Sequence, residues 1–170
     1  MVRDRQLTAC SSRWLLACAL ATVALGCTTT RGSAMDPARL RQFATDYTAA
    51  WCSQNAASVA AFFAEGGSLT INEGPPAVGR KAITAAAQGF MTAFPNLVVT
   101  MDGASVDGSR AVYRWTLTGT NTGPGGSGHA VRISGYEEWR FDATGLIASS
   151  LGHFDALEYQ RQLQAGAGGM

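Results

Sequence analysis

The sequence predicts an α+β fold, with helices gathered on one side of a curved antiparallel sheet. Three observations predict it. Residues 111–121, 128–141 and 145–154 read as three consecutive strands. The turns between them, 122–127 and 142–145, are short and glycine-containing, which makes the strands antiparallel neighbours. Two amphipathic stretches lie upstream, and only they can cover the one face such a sheet must bury.

The elements follow in order. Asp36 is a good N-cap, and Pro37 suits the first helical position because its missing N–H would be unpaired there. Leu40, Phe43, Tyr47 and Trp51 then recur at three- and four-residue steps, giving one apolar stripe. Asn55 is a second cap, and Val59, Phe62 and Phe63 continue a short helix that stops at Gly66 and Gly67. Residues 68–71 read as a brief strand, and Gly74, Pro75 and Pro76 as a turn. Residues 80–94 form an amphipathic helix with Ile83, Ala87, Phe90, Met91 and Phe94 on one side, ended by Pro95. Residues 97–101 and 104–106 are extended, and Asp107-Gly108 is a hairpin signal before the three long strands. Residues 156–163 close as a short helix and 165–170 as a flexible tail; the domain is expected over 36–164.

The first residues stand apart from this pattern. Arg3, Arg5 and Arg13 flank a short uncharged apolar run over 14–25, the layout of a signal peptide spanning 1–26. The run is too short to cross a bilayer as a helix. It ends in Val23-Ala-Leu-Gly-Cys27, which resembles the bacterial lipobox. The resemblance implies that Cys27 becomes a lipidated N-terminus, with residues 27–35 as a tether and the cell envelope as destination. A secretory signal cut nearby that leaves Cys27 free, or an uncleaved anchor, are the other readings. Cleavage removes Cys10 and Cys18 and, with Cys27 acylated, leaves Cys52 alone, so no intramolecular disulfide is available. Cys52 reads as a small buried apolar residue beside Trp51.

Composition narrows the function. A net charge of +1 over 170 residues, without a clustered basic face, speaks against nucleic-acid binding. Two separated histidines and no CxxC give no recognisable metal-ligand spacing. The glycines of 123–128 join two strands and precede no helix, so they cradle no phosphate. No cofactor is expected.

Several segments in this order carry a resemblance: residues 47–51 (Tyr-Thr-Ala-Ala-Trp), 59–65, 114–123 (Arg-Trp-Thr-Leu-Thr-Gly-Thr-Asn-Thr-Gly), 139–147 and 153–155 (His-Phe-Asp). Together they resemble the SnoaL-like branch of the NTF2-like superfamily. The resemblance implies a cone, a bent sheet wrapped around helices with a pocket at one end. It does not fix a function, because the superfamily holds isomerases, cyclases, dehydratases and binders.

Glu137 is the most unusual candidate. Val131, Ile133, Glu137, Trp139 and Phe141 share one strand face, provided Gly135 introduces no bulge. A carboxyl on that apolar face would have a raised pKa and donate a hydrogen bond. The alternatives are a bulge that turns it to solvent, or an ion pair with Arg114 or Arg132. Ketosteroid isomerases place an acid at the matching position and a tyrosine on the first helix, which Tyr47 matches. Their aspartate base falls here on Ile71 or Asn72, neither a base, while Glu73 lies toward an exposed turn, so a steroid isomerase is not expected.

SnoaL-type cyclases use an aspartate near the end of the last strand, and Asp155 matches it. Ile147, Leu151, His153 and Asp155 share parity, so His153 and Asp155 can face one pocket. Equally, Asp155 and Glu158 have the spacing of a capping box, with Asp155 capping the last helix. Asn121 stands where many relatives have histidine, and can bond a ligand but not take its proton. His129 reads as a surface residue.

These residues point to an envelope-anchored domain that binds a small, largely apolar molecule through Tyr47, Trp51, Trp115, Asn121, Glu137, Trp139 and His153. An isomerase or cyclase using Asp155, with Tyr47 and Glu137 stabilising an enolate, is the enzymatic alternative. A module that dimerises through its sheet is the third. The lipid anchor makes a direct prediction: cells expressing the protein incorporate labelled palmitate into it, and Cys27→Ser abolishes the label. Unchanged labelling would refute the anchor.

Overall fold

Asp36 begins the first helix as a cap should. Its carboxylate accepts from the Arg39 N–H at 3.2 Å, and Pro37 takes the first helical position. This geometry comes from a computed structural model, which describes residues 36–168 apart from Gly108. The expected signal segment, Cys27 and the tether fall outside the described residues.

Helix α1 (Pro37–Cys52) buries Leu40, Ala44, Tyr47, Ala50 and Trp51. Phe43 flanks that stripe and packs edge-on against Phe62, Trp139 and Phe141. Asn55 caps α2 (Ala56–Ala60), its side chain accepting from the Ala57 N–H at 3.1 Å. The helix does not run on through Phe63 as the apolar spacing suggests. Strand β1 (Phe63–Ile71) starts there, and Gly66 and Gly67 lie inside it, where its pairing register shifts. The reason is tertiary: the Ile147 N–H binds the Phe62 carbonyl at 2.9 Å and Arg80 Nε the Phe63 carbonyl at 2.9 Å, bonds that helical backbone would not offer.

Strand β2 (Ala77–Val78) leads into α3 (Gly79–Ala93), which buries Ile83, Ala87 and Met91. Strands β3 (Val98–Asp107), β4 (Arg110–Thr120), β5 (Ala130–Phe141) and β6 (Ile147–Phe154) follow, then α4 (Ala156–Ala165). The six strands form one sheet in the order β2-β1-β6-β5-β4-β3. Every pairing is antiparallel except β1 with β6, which is parallel. That pair departs from the all-antiparallel expectation: β1 comes early in the chain yet closes the sheet against its last strand.

Two details of register decide which side chains face inward. β4 and β5 pair from Ala111–Trp139 to Thr120–Ala130 without interruption, so Gly135 makes no bulge. The irregularity falls at the other end of β5, where Arg140 pairs with Ser149 but Phe141 with Ile147. The extra residue on β6 changes its parity, so Ile147 and Ser150 are both buried while Leu151 is exposed.

The amino-terminal half of β5 runs beyond the end of β6. Gln162 of α4 serves it there: its Oε1 accepts from the Arg132 N–H at 2.6 Å and its Nε2 donates to the Arg132 carbonyl at 2.9 Å. The segment expected to be a loose tail begins inside α4, and the Ala167 N–H binds the Ala130 carbonyl at 2.9 Å. Cys52 is exposed, contrary to its reading as a buried residue. It sits at the end of α1, where its thiol donates to the Val99 carbonyl at 3.3 Å and accepts from the Val99 N–H at 3.2 Å.

Candidate functional site

The inner face of the sheet is built by strand alternation. On β5 it carries Val131, Ile133, Glu137 and Trp139; on β4 it carries Tyr113, Trp115 and Leu117. Uninterrupted pairing sets Tyr113 opposite Glu137 and Trp115 opposite Gly135. Glu137 is 6 % exposed. Its Oε2 accepts three protons, from Ser150 Oγ at 2.6 Å, Trp139 Nε1 at 2.8 Å and the Tyr47 hydroxyl at 3.3 Å. Oε1 has only the longer Tyr47 contact, at 3.4 Å. Arg114 and Arg132 are on the outer, exposed side, and Glu137 forms no ion pair with either.

Burial pushes the Glu137 carboxyl above the usual carboxylate range, and the bonds from Ser150, Trp139 and Tyr47 offset only part of that shift. Burial also holds the Tyr47 phenol well above its ordinary value, and the adjacent Glu137 charge adds to the effect. Tyr113 is raised for the same leading reason. Thr48 Oγ1 gives its proton to the Ala44 carbonyl at 2.7 Å, so the Tyr113 hydroxyl is the donor in its 2.7 Å bond to Thr48. Both phenols are therefore neutral hydrogen-bonding groups. The Tyr113 ring also stacks on Trp139, with centroids 4.8 Å apart.

In front of Glu137 lies a partly enclosed cavity, with about 50 Å³ of space for the centres of water-sized molecules. Trp51 of α1 and Phe90 of α3 form one wall, and Leu69 and Ile71 of β1 another. Val99, Tyr113, Trp115 and Leu117 come from β3 and β4, and Gly152 and Phe154 from β6. Glu137 is the carboxyl in this lining, which contains no Lys, Arg or His. Two glycines shape the space. A Cβ at Gly135 would sit 2.6 Å from Trp115 Cζ2 and 2.4 Å from the His153 carbonyl oxygen, so glycine lets the indole lie against the sheet. Gly152 pairs with Glu137 on β6, and a Cβ there would meet Glu137 Cγ at an ordinary 3.7 Å. Trp115 Nε1 is buried and has no hydrogen-bond partner among the described residues.

A family model for the SnoaL-like domain matches residues 44–150, the span that contains most of this cavity's lining. The chain belongs to the SnoaL-like domain family. Solved structures share the NTF2-like fold. TsrD from Streptomyces laurentii is 24% identical with a TM-score of 0.66, covering 76% of this chain and 97% of that one. An NTF2-like protein of unknown function from Burkholderia pseudomallei is 20% identical with a TM-score of 0.64, covering 77% and 100%. A protein of ketosteroid isomerase-like fold from Catenulispora acidiphila, in complex with trimethylamine, is 19% identical with a TM-score of 0.63, covering 71% and 91%. No curated protein matches the chain.

Within this SnoaL-like cone the candidate residues separate. Trp51, Trp115 and Glu137 line the cavity, while Tyr47 and Trp139 stand behind Glu137 and bond its carboxyl. Asn121 is not in the lining: its Nδ2 donates to the Ala93 carbonyl at 3.1 Å and its Oδ1 accepts from the Ser127 N–H at 2.8 Å, which fixes the turn after β4. His153 lies on the outer face, stacked on Tyr136 at 4.8 Å, because the extra residue in β6 turned it outward. Asp155 is exposed and accepts from the Glu158 N–H at 2.9 Å as an N-cap, while the Glu158 carboxylate accepts from Arg161 and Gln162 rather than reaching back to complete the capping box. His129 Nδ1 is 3.0 Å from the Leu163 carbonyl oxygen. At the place of the isomerase base, Ile71 faces the cavity, Asn72 holds the Phe154 N–H at 3.0 Å, and Glu73 is exposed. Sequence reasoning missed Ser150, whose parity the β6 irregularity hides, and Tyr113, which the β4 alternation with Trp115 does signal. Among the described residues no group of three or more His, Cys, Asp or Glu can hold a metal ion.

The raised Glu137 carboxyl has a signed consequence. The folded state keeps a proton that the unfolded chain releases near the ordinary glutamate value, about 4.3. The resulting stabilisation is complete below that pH and is lost as pH rises through the raised value. Urea unfolding across pH should therefore show wild-type stability falling relative to Glu137→Gln over that window, then levelling. A constant difference would contradict the assignment.

Proposed function

We propose that this SnoaL-like protein is exported, held at the bacterial envelope by lipid on Cys27, and binds a small, largely apolar molecule whose one polar group meets Glu137. The observation that carries the binding reading is the cavity wall, apolar and aromatic apart from a single carboxyl whose Oε1 is only weakly bonded. Such a lining excludes water well and orients a guest by one contact. The small volume suits a guest of a few heavy atoms in the cavity itself. The Catenulispora protein in complex with trimethylamine is a precedent on this fold for a compact, mostly apolar guest. The anchor rests on the Val23–Cys27 motif and the apolar run before it.

Geometry does not favour an isomerase or cyclase working through Asp155. That carboxylate is outside the cavity and engaged with the Glu158 N–H. Moving a proton between two atoms of a bound substrate needs at least one ionised group within reach to take it from the first and return it to the second. Glu137 is the carboxyl available, and the place of the isomerase base is apolar Ile71.

The test uses Gly152, whose Cβ position is free of clash. Thermal unfolding with tryptophan fluorescence is measured against small cyclic ketones, alcohols and methylated amines. A binder at roughly 100 times its Kd stabilises the fold by about 2.7 kcal/mol. At least one class should raise the melting temperature of the wild type, with a smaller rise in Gly152→Ala, whose added methyl fills space beside Glu137. If no compound shifts melting or fluorescence, or Gly152→Ala responds equally, the binding reading is wrong.

A further inference from the structure

We infer that the polar group selected by this cavity is a cation: a tertiary or quaternary alkylammonium head seated among Trp51, Phe90, Tyr113, Trp115 and Phe154 and facing Glu137. This deepens the binding reading and rests on it.

Three features of the cavity converge. Five aromatic side chains, from α1, α3, β4 and β6, line the cavity. Aromatic faces attract positive charge, most strongly where water is excluded. Next, the single carboxyl in the lining has no cationic partner among the described residues. Its neighbours Tyr47, Ser150 and Trp139 are neutral donors, and all three reach Oε2. Oε1 keeps only the 3.4 Å contact with Tyr47. A buried carboxylate without a counter-charge is costly, and a positive guest would supply that charge. Finally, no basic side chain lines the cavity, so an anionic guest would meet Glu137 with nothing to offset the repulsion.

The same features select the kind of cation. A primary ammonium brings three N–H donors, and the lining offers Glu137 as its one strong acceptor. A methylated ammonium spreads its charge over C–H groups that pack on rings and leaves few donors to satisfy. Binding then requires the carboxylate form, so affinity rises with pH as Glu137 ionises. The groups facing Glu137 do not confuse this dependence. Tyr47 from α1 and Tyr113 from β4 are phenols held neutral by burial, and Ser150 from β6 and Trp139 from β5 are uncharged.

The test is calorimetric titration of the full chain with choline and with 3,3-dimethylbutan-1-ol, its neutral carbon isostere, near pH 5 and pH 8. Choline should bind at least about tenfold more tightly than the isostere at the higher pH, the size of effect a desolvated cation–π cage provides. Its affinity should fall on acidification, and Glu137→Gln should erase the preference. Phe90→Leu, which removes one ring and leaves the carboxyl cluster alone, should shrink it. If the isostere binds as well as choline to the wild type, or the preference survives in Glu137→Gln, the cation inference is overturned while the binding reading stands. If neither compound binds, both fall.

Discussion

Three protons from three parts of the chain converge on one oxygen of Glu137. Tyr47 brings α1 to it, Ser150 brings β6, and Trp139 turns back from β5 itself. The cluster ties the first helix to β5 and β6, the two central strands of the sheet, so the cone is held at the place where its cavity begins. It also explains why an acid tolerates burial there. Each donor offsets part of the desolvation cost, yet the carboxyl still titrates above its ordinary range because burial outweighs them.

The cavity in front of that cluster exists because of what is missing as much as what is present. Gly135 gives Trp115 room to lie against the sheet, and Gly152 leaves space beside Glu137. The aromatic rings around them belong to a continuous core that includes Tyr47, Tyr113 and Trp139. Stability and the proposed binding therefore draw on the same residues. A change that fills or opens this space is expected to act on both, and Gly152, where an added Cβ meets only ordinary contacts, is the place where the cost to packing is smallest.

Much of the fold was legible because local chemistry and tertiary packing agree. Asp36, Asn55 and Asp155 are caps in sequence and in structure, and the Leu40–Tyr47–Trp51 stripe is the buried face of α1. The inward position of Glu137 was readable because β5 alternates across Gly135 without a bulge. Other features depend on contacts the sequence does not announce. Phe62 and Phe63 fit a helix or a strand, and Ile147, distant in sequence, decides between them. The extra residue in β6 swaps the roles of His153 and Ser150, and no turn residue marks it. Asn121 has a side chain suited to a ligand, but the turn it closes uses both its amide groups.

The central claim is that a buried, aromatic-walled cavity holds Glu137 as a carboxyl of raised pKa. Side-chain carboxyl NMR with carbon-13-labelled glutamate measures it most directly, with Glu137→Gln identifying the resonance. The account predicts that the Glu137 signal titrates above the ordinary glutamate value of about 4.3. A Glu137 signal that titrates at the ordinary glutamate value, or below it, would contradict it.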